Sequence, residues 1–148
     1  MHNVDISIII LSKNEAKYLN RVLERVFKQN INKTYEVIII DSGSTDSSFD
    51  IIKNYPLRLV EIPTKDFGHG RTRNLGARLA RGDTVVFLNA DAIPADNFWL
   101  INLIDNFKED DSIAGVYGRI LPRENCNPLR AREILNDCTY FREAKIKY

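Results

Sequence analysis

The chain has 148 residues, of which 44% are hydrophobic and 28% charged, the profile of a single soluble domain. A chain of this length can bury roughly 68–70% of its unfolded surface, enough for a self-standing core. The formal net charge of +1 excludes a global drive toward nucleic acid or anionic membranes, so any phosphate binding must come from a local site. Cys126 and Cys138 have neither metal-ligand spacing nor a disulfide framework, and read as reduced structural residues of a cytosolic protein. No basic segment followed by a long apolar run opens the chain. The run Ile6–Leu11 is far shorter than the ~20 residues that span a bilayer.

Ile6-Ser7-Ile8-Ile9-Ile10-Leu11 is almost continuously apolar and β-branched, which predicts a strand buried on both faces. Ser12-Lys13-Asn14-Glu15 follows with the form of a capping box. Leu19, Val22, Leu23, Val26 and Phe27 then recur at helical spacing. Val37–Ile40 is a second buried strand, and Ser42 to Ser48 a turn into a short helix through Ile51 and Ile52. Leu57–Ile62 is a third strand ended by Pro63. Arg71–Arg81 reads as a helix with Gly82 as its C′ residue. Thr84–Leu88 is a fourth buried strand. Asp96 is placed to cap a helix carrying Phe98, Trp99, Leu103, Ile104 and Phe107. Ile113–Gly118 reads as a fifth strand, and Asn127-Pro128 as the start of a last helix. Strands alternating with helices imply βαβ units and an α/β fold with a mostly parallel sheet. The polar loop Pro122–Asn127 is the one plausible subdomain joint.

In such sheets ligands bind outside the carboxyl ends of the strands. Ser12, Asn14 and Glu15 follow the first strand, Asp41 the second, Asp66, His69 and Arg71 the third, Asn89-Ala90-Asp91 the fourth and Arg119 the fifth. Asp41 reads either as a turn former with Ser42 and Gly43 or as an acceptor for a pyrimidine ring or ribose hydroxyl. Asp46 suits the first turn of the following helix. Gly68-His69-Gly70-Arg71 is a glycine-flanked loop at a helix start, where backbone amides could meet a phosphate. His69 could donate to the same phosphate, or be an ordinary surface histidine. Arg71 and Arg73 point to different faces, so one of them can reach the mouth. Arg78 and Arg81 read as solvated helix charges. Asn89 and Asp91, one residue apart, could hold Mg²⁺ or Mn²⁺ with diphosphate oxygens completing the shell; a tight Asn/Asp turn before Pro94 is the other reading. Neither a dinucleotide fingerprint nor a P-loop lysine motif is present.

From Ile6 to about Tyr140 the chain resembles the family 2 glycosyltransferases of the GT-A fold. The resemblance rests on Lys13-Asn14-Glu15, Ile39-Ile40-Asp41-Ser42-Gly43-Ser44-Thr45-Asp46, Arg73-Asn74-Leu75-Gly76 and Leu88-Asn89-Ala90-Asp91. Phe67-Gly68-His69-Gly70, Asp91-Ala92-Ile93-Pro94 and Val116–Arg123 look most like the bacterial rhamnosyltransferases. The resemblance implies an inverting sugar transfer from a dTDP- or UDP-linked donor to a saccharide or lipid-linked acceptor in cell-surface polysaccharide synthesis. It implies donor contacts from Ser12, Asn14, Glu15, Asp41, Ser44, His69, Arg73 and Asn89, a divalent metal (Mg or Mn) on Asp91 with Asn89, and an acceptor side near Arg119 and Arg123. Asn89 departs from the acidic residue usual at the first metal-motif position.

The expected layout is a nucleotide-sugar-binding domain over 1–123 and a helical segment over 124–148. That segment leads toward an acceptor half and a catalytic base lying beyond Tyr148. Leu129, Leu135, Cys138 and Phe141 give it an apolar face suited to self-association. The expected location is cytoplasmic, at most peripheral to the inner face of a membrane, with no nucleic-acid partner. Two rivals remain. One is a binding-only module that holds nucleotide without transfer. The other is a nucleotidyltransferase, which would need a glycine-rich loop where Ser12-Lys13-Asn14-Glu15 stands.

Overall fold

A computed structural model of the chain describes residues 4–140, with side chains through Asn136. They form two compact units divided at Asn102/Leu103. The first carries a four-stranded sheet of order β3-β2-β1-β4, built from β1 (Ile6–Ser12), β2 (Tyr35–Asp41), β3 (Arg58–Glu61) and β4 (Thr84–Asn89). Every pairing is parallel. α1 (Ala16–Phe27) joins β1 to β2, α2 (Ser48–Ile52) joins β2 to β3, and α3 (His69–Leu79) joins β3 to β4.

β1 is hydrogen-bonded on both edges, and Ile8, Ile9 and Ile10 have no exposed surface. Burying each such side chain stabilises the fold by about 1.5–3 kcal/mol. The chain steps from β1 to β2 to β3 in one direction, then returns across β1 to reach β4. Right-handed crossovers therefore put α1 and α2 on one face and α3 on the other. Leu19, Val22, Leu23 and Val26 of α1 are fully buried. On the opposite face Ile9, Ile38 and Ile40 pack with Leu75 and Leu79 of α3. A Cβ on Gly76 would lie 2.5 Å from the Ile9 side chain, so the glycine lets α3 sit close to the sheet.

Several local expectations are corrected. Ser12 does not cap α1: it is the last residue of β1, and Glu15 occupies the N-cap position without a side-chain bond. The N–H groups at the start of the helix are met by side chains just before and at the start of α2. Asp46 accepts from the Ala16 N–H at 3.1 Å and the Ser48 hydroxyl accepts from that of Glu15 at 3.1 Å. Asp46 precedes α2 instead of lying in its first turn. Its carboxyl is held below the usual 3.8, first by the Ser48 hydroxyl and then by the Ala16 and Ser48 amides, against desolvation. Asp96 accepts from the Phe98 N–H at 2.8 Å, forming a turn ahead of α4 (Trp99–Asp105), whose first carbonyl is that of Phe98.

Gly82 is not a left-handed helix stop, because α3 ends at Leu79 with Ala80 as C-cap. Its role is steric: a Cβ there would lie 2.6 Å from the Ile6 carbonyl carbon. The neighbouring amides are latched to β1 from the same side. Ser7, fully buried, donates to Glu36 at 2.7 Å and accepts from the Gly82 N–H at 2.9 Å.

The second unit contains the end of α4, a 3-10 turn at Asn106–Lys108 and α5 (Pro128–Tyr140). Asn127 caps α5 through the Leu129 N–H at 2.9 Å, as its sequence predicts. Ile113–Gly118, expected as a strand, is irregular and joins no described sheet; its first N–H turns back to the Asp110 carbonyl at 3.0 Å. A strand exists through its neighbour's hydrogen bonds, and Gly115 and Gly118 weaken the extended state further. Leu129 and Leu135 of α5 are exposed, as are Tyr117, Ile120 and Leu121 before it; the side chain of Cys138, and Phe141, lie outside the described residues. No helix among the described residues is long and apolar enough to cross a membrane.

Two outcomes follow from this packing. Gly82→Ala should lower the unfolding free energy by about 1–3 kcal/mol through overpacking against β1. Gly70→Ala, in the first turn of α3 with nothing within 4 Å of the added Cβ, should raise it by about 0.5–1 kcal/mol; denaturant melts of both variants check the contrast. For Asp46, a lowered folded pKa means stability present above the unfolded value and lost as pH falls through the folded one. The stability gap between the parent and Asp46→Ala should therefore be full above pH ~4 and close in more acidic buffer. Urea melts between pH 2 and 7 that show a constant gap would contradict the assignment.

Candidate functional site

The register fixes the site before any side chain is considered. Ser12 pairs with Asp41, Leu11 with Asn89, and Asp41 with Glu61. The carboxyl ends of all four strands thus stand at one level. Strand order reverses between β1 and β4, and such a switch point is where open α/β sheets bind ligands. α3 begins at this mouth, with its positive dipole end there and no acidic residue in its first turn.

Side-chain alternation sorts the site residues by face. Ser12 and Asp41 share the α1 face. Asp41 has no exposed surface, and its carboxylate accepts from the Gly43 N–H at 2.9 Å, the Ser44 N–H at 2.8 Å and the Ser44 hydroxyl. The turn-forming reading of Asp41 is the one this geometry displays. The turn needs Gly43, whose φ of +89° is left-handed and whose missing Cβ leaves room for the Thr64 hydroxyl. Asn14, itself at φ +54°, stitches the first loop to the second. Its N–H donates to the Ser44 hydroxyl at 2.8 Å and its side-chain oxygen accepts from the Thr45 N–H at 2.7 Å. Asn14, Asp41 and Ser44 are therefore one network. Ser12 is only 3% exposed, and its hydroxyl is the one buried side-chain oxygen among the described residues without a hydrogen-bond partner. The Glu15 N–H is bonded to Ser48 and the residue is half-buried.

Asn89, opposite Leu11, shares the α3 face with Ile9. The Arg73 guanidinium donates to its amide oxygen at 3.1 Å. Arg73, and not Arg71, is thus the arginine brought to the strand ends: helical side chains tilt toward the helix N-terminus, which here is the mouth. Arg78 and Arg81 are exposed. His69, the first residue of α3, is exposed, its ring edge-on to Phe67 with centroids 5.0 Å apart. Asp91 is exposed and lies in the turn after β4, closed by the Ala92 N–H to the Asn89 carbonyl at 3.0 Å. It is beyond the strand, so strand alternation does not extend from Asn89 to it.

The donor chemistry bears on the metal expectation. Among the described residues no three His, Cys, Asp or Glu side chains gather as a metal site. Asn89, expected as a ligand, presents its oxygen to a cationic guanidinium. Asn89 and Asp91 therefore do not fit as a two-ligand set, and Asp91 alone offers an anionic oxygen. Arg119 and Arg123 are exposed residues of the second unit.

Sequence reading did not single out Thr64 or Ser48. The Thr64 hydroxyl donates to the Ser42 carbonyl at 2.7 Å and receives the Lys13 ammonium at 3.4 Å, tying the loop after β3 to the first two. Neither residue type carries a positional signal; only the closeness of three loops at one sheet edge makes them partners.

Comparison with known proteins agrees with this geometry. Residues 7–148 match the family model for glycosyl transferase family 2. The O-antigen chain rhamnosyltransferase RfbN of Salmonella typhimurium is 39% identical over 128 residues, covering 84% of this chain and 40% of that protein. The crystal structure of S. aureus TarS 1-349 in complex with UDP superimposes with a TM-score of 0.65 at 27% identity, over 81% of this chain and 38% of that one. A mannosyltransferase from Pyrobaculum calidifontis, in complex with GDP-Man and Mn2+, shares the fold with a TM-score of 0.64 at 23% identity, over 91% of this chain and 39% of its own. The chain spans about two fifths of the length of the rhamnosyltransferase, 40%. Its GT-A sheet, the order of its motifs and the family match together make this chain a member of glycosyl transferase family 2.

Proposed function

We propose that the carboxyl-end mouth of this sheet binds the nucleoside diphosphate of an activated sugar, as the donor half of an inverting sugar transfer. The observation that carries the reading is the alignment of Ser12, Asp41 and Asn89 at the switch point, with the Arg73 guanidinium anchored there. The Asn14–Asp41–Ser44 network gives the first two loops one fixed shape against which a base and ribose can rest. Asp41 acts through that shape, since its own oxygens already serve the Gly43–Ser44 turn. The N-terminus of α3 and Arg73 face the phosphates.

In the reaction, an acceptor hydroxyl oxygen forms a bond to the anomeric carbon. The bond from that carbon to the diphosphate oxygen breaks, its electron pair leaving with the diphosphate. The positive end of α3 and Arg73 stabilise the charge that develops on the leaving group, while a carboxylate base takes the hydroxyl proton. Asp91 offers one oxygen donor to a divalent cation, which would add Lewis-acid stabilisation of the same leaving group. The similarity to rhamnosyltransferases of O-antigen chains supports a dTDP-linked 6-deoxysugar as donor and a growing cell-surface saccharide as acceptor. The layout we favour is a donor domain over 1–123 followed by the helical segment 124–148.

Calorimetric titration of the chain with dTDP, UDP and GDP in buffer containing Mn²⁺ tests the reading. The pyrimidine diphosphates should bind more tightly than GDP. Asp41→Ala should weaken dTDP binding by about 0.5–1.5 kcal/mol or more, the cost of ordering on binding a loop that is no longer held in shape. No binding of any of the three, or parent-like affinity in Asp41→Ala, would contradict it.

A further inference from the structure

The pairing of Arg73 with Asn89 assigns more than a contact. An arginine carries five N–H donors in a rigid fork, and its charge is permanent. The bond to the Asn89 oxygen, at 3.1 Å, uses one donor. It holds the guanidinium at the end of β4, where that strand passes into the turn holding Asp91. A carboxylate at position 89 would form an ion pair with Arg73 and cancel much of its charge toward a ligand. A neutral amide orients the guanidinium and leaves that charge intact. The same geometry makes Asn89 a poor cation ligand, since a dication on its oxygen would stand beside the guanidinium and be repelled. Positive charge at this mouth is thus built into the protein: Arg73, together with the N-terminus of α3, whose first turn has no acidic residue.

We propose that Asn89 is a positioning residue for Arg73 and not a metal ligand, and that this resident charge holds the diphosphate of a pyrimidine nucleotide without requiring a divalent cation. The proposal rests on the mouth being a nucleoside-diphosphate site, as argued above. It adds where the compensating charge comes from, and it distinguishes this chain from one with carboxylates at both positions 89 and 91.

The test is to titrate dTDP and UDP into the full chain twice, once in EDTA and once in saturating Mn²⁺, and to read the ratio of the two dissociation constants. The parent ratio should be below about tenfold. Arg73→Gln should weaken binding in EDTA by about tenfold or more, the size expected for losing a charge-assisted bond. Asn89→Asp offsets the guanidinium charge with an ion pair and adds a hard anionic oxygen, so its ratio should rise to about tenfold or more. Asn89→Ala should weaken binding in EDTA without creating metal dependence, an outcome that a purely structural Asn89 would not separate from that of Asn89→Asp. Both positions lie at the protein surface or half-buried, and the parent ratio decides the matter without any variant. Binding of the parent seen only with Mn²⁺, or unchanged EDTA affinity in Arg73→Gln, overturns the proposal and leaves the nucleotide site standing. No binding in either buffer overturns both.

Discussion

The site depends on β1 being held from four sides. Parallel partners occupy both of its edges, and helices cover both of its faces. Ser7-Ile8-Ile9-Ile10 can lie there only because every backbone group is paired in the ladders, while the side chains replace water with hydrocarbon. Once β1 is fixed, the register of β2 and β4 against it is fixed too, since a slip of one residue would turn Ile38 or Val86 to the wrong face. That register places Asp41 beside Ser12 and Asn89 beside Leu11. The chemistry at the mouth is thus positioned by the core, not by the loops that display it.

The opposite end of the sheet shows how such a core is closed. The Ser7 hydroxyl and the Glu36 carboxylate draw in the amides of Arg81 and Gly82, and Gly82 lets that turn press against Ile6. These contacts lock the return of the chain from α3 to β4, the crossover that creates the switch point.

The strands and the helices between them were legible in the sequence, because uninterrupted apolar runs and a helical stripe such as Leu19–Val26 have few other uses. The α/β class and the mouth followed from their order. Contacts between side chains distant in sequence were not legible. The Ser12–Glu15 spacing looks like a local cap, yet Asp46 and Ser48 meet the helix amides, because the strand runs on through Ser12 and buries it. Gly82 looks like a helix stop by its place after Arg81, whereas its reason is a backbone approach that only the folded sheet creates. Ile113–Gly118 has the composition of a strand but joins no sheet among the described residues. At the site, residue types pointed to a polar mouth at the strand ends. Whether Arg71 or Arg73 enters it, and that Asn89 meets a guanidinium, required the pairing of β4 with β1 and the phase of α3.

In the proposed function a nucleoside diphosphate rests on the carboxyl ends of β1, β2 and β4, between the Asn14–Asp41–Ser44 network and Arg73. Amide chemical-shift mapping of the ¹⁵N-labelled chain during addition of dTDP tests this most directly, because it locates the ligand without presupposing catalysis. Shifts are expected at Asn14, Gly43, Ser44, Gly70, Arg71 and from Asn89 to Asp91, with Glu36, Arg81 and Gly82 at the far end of the sheet unmoved. Shifts centred on Glu36, Arg81 and Gly82, or none at the mouth at saturating dTDP, would contradict it.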